Sequence, residues 1–116
     1  ERPVFVVDWP ASMASLARLH PDRPAFADRF EAYVCGVEIC NGFGELTDAK
    51  EQRRRFEYAM ADKQRLYGET YPIDEDFIAA LKQMPPASGV ALGFDRLVML
   101  ATGAPRLEDV LWTPLS

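Results

Sequence analysis

Between Phe26 and Leu46 the chain is rich in aromatic, β-branched and cysteine residues, with glycines at 36, 42 and 44. Branched and aromatic side chains fit a pleated strand better than a helix, and the glycines interrupt any helical period. The run predicts two strands joined by a tight turn. Gly36 can take the positive φ that a two-residue turn at Cys35-Gly36 requires. That turn sets a register in which Val34 pairs with Val37, Tyr33 with Glu38 and Glu31 with Cys40. Glu31 and Glu38 then become diagonal neighbours on one face, with Cβ atoms no more than about 7–8 Å apart.

Two carboxylates that close repel each other unless something positive lies between them. A hard cation such as Mg²⁺, which takes few protein carboxylates and completes its shell with phosphate oxygens, suits the pair. The plainer alternative is two glutamates that simply face water. Simple alternation puts Asn41, Phe43 and Glu45 on the opposite face. A bulge or kink, which Gly42 and Gly44 permit, would bring them round to Glu31 and Glu38.

A second informative run is Gly89-Val90-Ala91-Leu92-Gly93-Phe94-Asp95-Arg96. Small residues at 89, 91 and 93 leave one side of a strand bare, so a flat ligand can approach the backbone there. Tight packing between helix and sheet is the alternative use of such a stripe. Arg96 falls in the first turn of the next helix, where the dipole favours acids. An anion at that helix start would use both the dipole and the guanidinium.

The remaining elements follow from period and punctuation. Residues 3–7 read as a strand, and residues 20–25, with two prolines, as a loop. Asp48 is a helix cap, and Glu51 stands at the spacing of a capping box. Phe56, Ala59, Met60, Lys63, Leu66 and Tyr67 recur at helical period up to Gly68. A second helix starts near Asp74 and breaks at Met84-Pro85-Pro86. Ser88–Leu92 reads as a buried strand, Gly93 and Asp95 open a third helix through Leu100, and residues 106–112 form a last turn. The expected fold class is α+β: an antiparallel β-sheet flanked by helices.

At 116 residues there is room for one domain at most. A net charge of −5 argues against a free-standing nucleic-acid binder. No apolar run approaches the roughly 20 residues of a membrane span, so no membrane role is expected. Cys35 and Cys40 are too few for a disulfide framework, which suggests a reducing, cytoplasmic setting with both thiols buried. Arg53-Arg54-Arg55 reads as a solvated helix face. Glu75 and Asp76 read as first-turn acids, His20 as a residue without a role, and Trp9 and Trp112 as packing residues. The chain begins at Glu1 and shows no leader, so it reads as part of a longer protein.

Val37 through Asp48 resembles the amino-acid-binding strand of class II lysyl-tRNA synthetases. Gly89 to Leu100 resembles their motif 3, a small-residue strand followed by Asp-Arg. Met84-Pro85-Pro86, Asp109-Val110 and Pro114 fit as well, and the resemblance covers nearly the whole chain. It implies that residues 1–116 are a single partial domain, the C-terminal part of a class II synthetase catalytic core. It further implies that Glu31 and Glu38 hold Mg²⁺ and the phosphates of ATP, and that Arg96, beside Gly93, lies over the nucleotide. By the same resemblance Asn41 meets the substrate carboxylate, Phe43 packs on its aliphatic stem and Glu45 pairs with its ammonium. Glu38 and Arg96 are the expected catalytic groups.

Within the family, Phe5 to Ala17 and Ala91 are similar to a subgroup of shortened paralogues, whereas the tRNA synthetases carry Gly at the position of Ala91. The subgroup activates (R)-β-lysine with ATP and transfers it to a lysine amine of elongation factor P, without charging tRNA. The resemblance also implies a homodimeric parent. One methyl on a pocket wall is worth roughly 1–3 kcal/mol of discrimination. Two other readings stand beside this one: a lysyl-tRNA synthetase, and a paralogue that binds ligand without chemistry. Gly44 departs from the larger or polar residue usual between the Phe and the Glu. Motifs 1 and 2 do not occur in these residues, so the expectation is that residues 1–116 alone do not catalyse adenylation.

Overall fold

The strands of the protein are β1 (Val4–Val6), β2 (Trp9–Pro10), β3 (Leu19–His20), β4 (Arg23–Ala27), β5 (Arg29–Val34), β6 (Val37–Gly44) and β7 (Ser88–Leu92). Its helices are α1 (Ala49–Tyr67), α2 (Glu75–Leu81) and α3 (Phe94–Thr102), with 3-10 turns at Ala11–Met13 and Leu107–Asp109. These come from a computed structural model that describes residues 2–113; Pro114 lies outside them. The larger sheet runs β1-β5-β6-β7, antiparallel throughout, and a smaller one runs β2-β4-β3. Among the described residues no helix is long and apolar enough to cross a membrane.

The predicted turn forms. Cys35 and Gly36 both take positive φ, 52° and 76°, the arrangement whose twist matches the two strands it joins. Val34 pairs with Val37 and Tyr33 with Glu38, as the turn dictates. Gly42 is required by a close approach: a Cβ there would lie 2.4 Å from the Phe30 ring, which crosses the strand at its pairing partner.

The sheet has two unlike faces. Phe5, Val90 and Leu92 fall on one of them by alternation, 63%, 61% and 52% exposed, with Phe5 against Phe30 at 6.0 Å between ring centroids. The buried core is made of small clusters. Ala14, Ala17 and Ala27 pack with Trp9, Leu19 and Phe43; Ala49, Ile78 and Leu81 pack with Phe56 and Ile73. The radius of gyration, 17.2 Å, exceeds the about 13 Å of a compact chain of this length, in keeping with the open apolar face.

Several expectations change. Residues 20–25 are not a loop: Pro24 sits inside β4, and His20 ends β3. The smaller sheet has short strands, so a proline costs it few ladder bonds. Cys35 is exposed, because the turn that needs its positive φ lies at the hairpin tip; Cys40 is half-buried. Leu66 and Tyr67 are 55% and 71% exposed, because the last turns of α1 run past the residues that cover its start. Asp48 caps α1 by accepting from the Lys50 and Glu51 amides, but the Glu51 carboxylate turns to Arg54 and Arg55 instead of closing a capping box.

The arginine run is likewise not a uniform solvated face. Arg53 pairs with Glu75 on α2. Arg55 is mostly buried and donates to the carbonyls of Ser15 and Ala17 at 2.8 and 2.7 Å, tying α1 to the segment before β3. Hydrogen bonds from Arg54 and Arg55 hold the Glu51 carboxyl at about 2, against an ordinary 4.5. A carboxyl depressed in the folded state adds stability above its unfolded value and loses it as pH falls through the folded one. Glu51→Gln should therefore cost about 1 kcal/mol at pH 7, solvent screening included, and clearly less near pH 2, where the folded carboxyl is half protonated. Urea unfolding at both pH values checks this, and an equal cost at both would contradict it.

Candidate functional site

The site is built on the other face of the larger sheet, and one irregularity decides what it contains. Beyond the Tyr33–Glu38 pair, the register of β5 and β6 shifts: Ala32 pairs with Cys40 and Glu31 with Asn41. Ile39 is the extra residue of a bulge. The expected Glu31–Cys40 pair is thus off by one. The bulge sits at Ile39 and not at Gly42 or Gly44, where glycine composition pointed. Residues directly paired across antiparallel strands share a face. Glu31, Tyr33, Glu38, Asn41 and Phe43 therefore all project from one side. Asn41 pairs with Ala91 and Phe43 with Gly89 on β7, which adds the small-residue stripe to that same side.

The stripe leaves space. Asn41, Phe43, Glu45, Gly89 and Ala91, with Val90, line a cavity of about 340 Å³. The Glu45 carboxylate lies over Gly89, 2.8 Å from where a Cβ would stand, so any side chain at 89 would displace it. Asn41 Oδ1 is buried with no partner among the described residues, so its hydrogen-bonding capacity there is unspent. Apolar wall, amide and carboxylate together match a small molecule with an aliphatic stem and a cationic end. Gly44 faces away from this cavity. A Cβ there would lie 2.3 Å from Asp28 Oδ2 and 2.6 Å from Arg18 Nε, a pair that covers the strand from behind.

The second half of the site is joined to the first through the bulge. The Gly93 amide donates to the Ile39 carbonyl at 2.9 Å, which fixes the start of α3 beside β6. Arg96, in the first turn of α3, then donates to the Glu38 carbonyl at 2.9 Å, and its Nη1 lies 3.6 Å from Glu38 Oε2. A Cβ at Gly93 would meet the Arg96 side chain at 3.2 Å.

Glu31 is 5% exposed, and both its oxygens are engaged. Arg29 Nη2 donates to one at 2.6 Å and the Tyr33 hydroxyl to the other at 2.5 Å. That bond to Glu31 raises the Tyr33 phenol above its ordinary value of 10. Among the described residues the Glu38 carboxylate is approached only by Arg96, at the longer distance just given. Each Glu31 oxygen keeps a second lone pair. Two carboxylates on one face, oxygen donors only, fit a hard divalent cation whose other positions are filled by water or phosphate. Among the described residues no group of three or more acidic, His or Cys side chains could hold a metal by itself.

Sequence reasoning missed Arg29. It lies on the site face, opposite Phe43, with its guanidinium 4.4 Å from the Trp9 ring centroid and 5.9 Å from that of Phe43. Its spacing two residues before Glu31 was the available signal. His20 lies outside the site, beside a shallow cavity with Asp8 and Asp28.

Residues 1–116 match the model of the family described as tRNA synthetases class II (D, K and N). The chain is 54% identical over 112 residues to an elongation factor P–(R)-β-lysine ligase of Sodalis glossinidius, covering 96% of this chain and 34% of that protein. It is 51% identical over 116 residues to the Proteus mirabilis protein of the same name, covering 99% of this chain and 36% of that one. A lysine–tRNA ligase of Moorella thermoacetica is 44% identical over 114 residues, 97% of this chain and 23% of that protein. The chain thus spans about a third of the length of the first of these relatives.

Deleting Ile39 should leave the Asn41–Ala91 side intact while releasing Gly93 from its anchor. The Gly93 amide should then exchange with solvent about tenfold faster or more, while amides in the β6–β7 ladder keep their protection. Hydrogen exchange by NMR reads both, and unchanged protection at Gly93 would contradict the anchoring role of the bulge.

Proposed function

Since the chain belongs to the class II tRNA synthetase family (D, K and N), we propose that the protein carrying it activates (R)-β-lysine with ATP and passes it to a lysine side chain of elongation factor P. The observation that carries this reading is the single face on which Glu38, Asn41, Phe43 and Glu45 converge with Gly89, Ala91 and Arg96. The names of the Sodalis and Proteus relatives support the acceptor and the amino acid. Residues 1–116 would then supply the C-terminal part of a catalytic domain in a homodimeric, cytoplasmic enzyme that does not charge tRNA.

Each residue has a task in this reaction. Glu45, over Gly89, receives the side-chain ammonium, Phe43 flanks the aliphatic stem, and Asn41 binds the carboxylate end. Ala91, paired with Asn41, narrows the wall next to the substrate's amine-bearing carbons, where α- and β-lysine differ. That position can give the roughly 1–3 kcal/mol by which one methylene or methyl separates substrates. Arg96 and the glycine at 93 offer an open, cationic floor to the nucleotide. Glu31 and Glu38 would hold Mg²⁺, which when bound neutralises phosphate charge.

The substrate carboxylate attacks the α-phosphate of ATP in line, releasing pyrophosphate, and the acceptor amine then takes the acyl group. No side-chain nucleophile is needed, because orientation and charge complementarity supply the acceleration.

Pyrophosphate exchange with the full-length protein tests this reading. (R)-β-lysine should support exchange at least about tenfold better than α-lysine. Preference for α-lysine would favour the lysine–tRNA ligase reading, consistent with the Moorella relative. No exchange with either amino acid would point to ligand binding without chemistry. Glu38→Ala and Arg96→Ala should each lower exchange by about a hundredfold or more while the fold persists. Wild-type rates in either variant would contradict the catalytic roles of Glu38 and Arg96.

A further inference from the structure

Arg29 carries no role in the reaction just described, yet it is the most heavily engaged cation on the site face. Its side chain is 14% exposed and that of Glu31 7%. One terminal nitrogen donates to Glu31 and the other to the Met13 carbonyl at 2.7 Å. Its plane lies by the Trp9 ring at 4.4 Å and near the Phe43 ring at 5.9 Å. Its Nε is buried and has no partner among the described residues.

A carboxylate buried to the extent of Glu31 is costly without a cation. Arg29 is the cation that contacts it. The same guanidinium stands behind Phe43, its direct cross-strand partner. It therefore couples two parts of the site through a side chain, the Glu31 charge and the Phe43 wall, and it fastens both to the Ala11–Met13 turn.

We propose that Arg29 is a positioning residue that serves as the resting counter-ion of Glu31 and the lateral support of Phe43. A divalent cation at Glu31 then competes with the Arg29 nitrogen for the charge of the carboxylate at Oε1. The proposal rests on the function proposed above for the meaning of Phe43 and Glu31. Lysine at 29 would keep the charge but lose the flat, two-pronged contact.

The experiment compares wild type, Arg29→Lys and Arg29→Ala in the full-length protein, with circular dichroism to confirm folding. Mn²⁺ binding is titrated by EPR, Trp emission is recorded, and KM is measured separately for amino acid and ATP in pyrophosphate exchange. In Arg29→Ala the freed carboxylate should bind Mn²⁺ about three- to tenfold more tightly. Arg29→Lys should leave Mn²⁺ affinity within about twofold and alter the Trp9 emission. Its amino-acid KM should rise about tenfold while that for ATP stays within about twofold. Unchanged or weaker Mn²⁺ binding in folded Arg29→Ala would overturn the counter-ion role. Equal movement of both KM values in Arg29→Lys, or unaltered emission, would overturn the support of Phe43. Should Arg29→Ala fail to fold, Arg29→Lys decides through emission and the KM split. A wild type inactive with both lysines would count against the proposed function, while Mn²⁺ binding and emission would still judge Arg29.

Discussion

One surplus residue in the longest strand governs what the sheet can do. Without Ile39 out of register, the pleat would send Asn41, Phe43 and Glu45 to the side opposite Glu31, and the half of the strand that lines the cavity would face away from the half that carries Glu31 and Glu38. The bulge also turns the Ile39 carbonyl toward the Gly93 amide. A single local departure from regular pairing thus aligns the strand with itself and docks the helix that carries Arg96. Bulges recur beside active sites because they re-aim side chains at little cost to the rest of the ladder.

Behind that face, the fold depends on a few arginines more than on bulk. The buried core is mostly alanine. Arg55 bridges α1 to the carbonyls of Ser15 and Ala17, and Arg29 ties the sheet to the Ala11–Met13 turn. Planar guanidiniums that reach backbone carbonyls can hold irregular segments where there is too little apolar side-chain volume to pack them.

Much of this was legible in the residues. The Cys35-Gly36 turn, the hairpin around it, the cap at Asp48, the start of α2 near Asp74 and the strand-to-helix passage at Gly93 all follow from local chemistry, which acts within a few residues. The bulge was not legible, because alternation reports two faces but cannot say where one residue is skipped; the glycines at 42 and 44 were the tempting and incorrect place. In the structure Gly42 makes room for Phe30 and Gly44 for the Arg18–Asp28 pair, both on the back of the sheet. Arg29 escaped notice because its value lies in contacts with Trp9 and Met13, distant in sequence. The thiol of Cys35 was expected inside on composition alone, whereas the turn's demand for positive φ put it at the tip. Among the site residues, the grouping of Asn41 and Phe43 with Ala91 follows from observed pairing and that of Glu45 from the shared cavity; the resemblance alone had implied it.

The link between Ile39 and Gly93 also bears on how the molecule assembles. The hairpin closes over a two-residue turn, an event of microseconds that asks little of the rest of the chain. β7 joins it only after an excursion of roughly forty residues through α1 and α2, whose ends must first be brought together against loop-closure entropy. Until that happens the cavity has no floor and Arg96 no station. The cavity is thus a property of long-range pairing: the local hairpin can be complete while its lining from β7 is not yet in place.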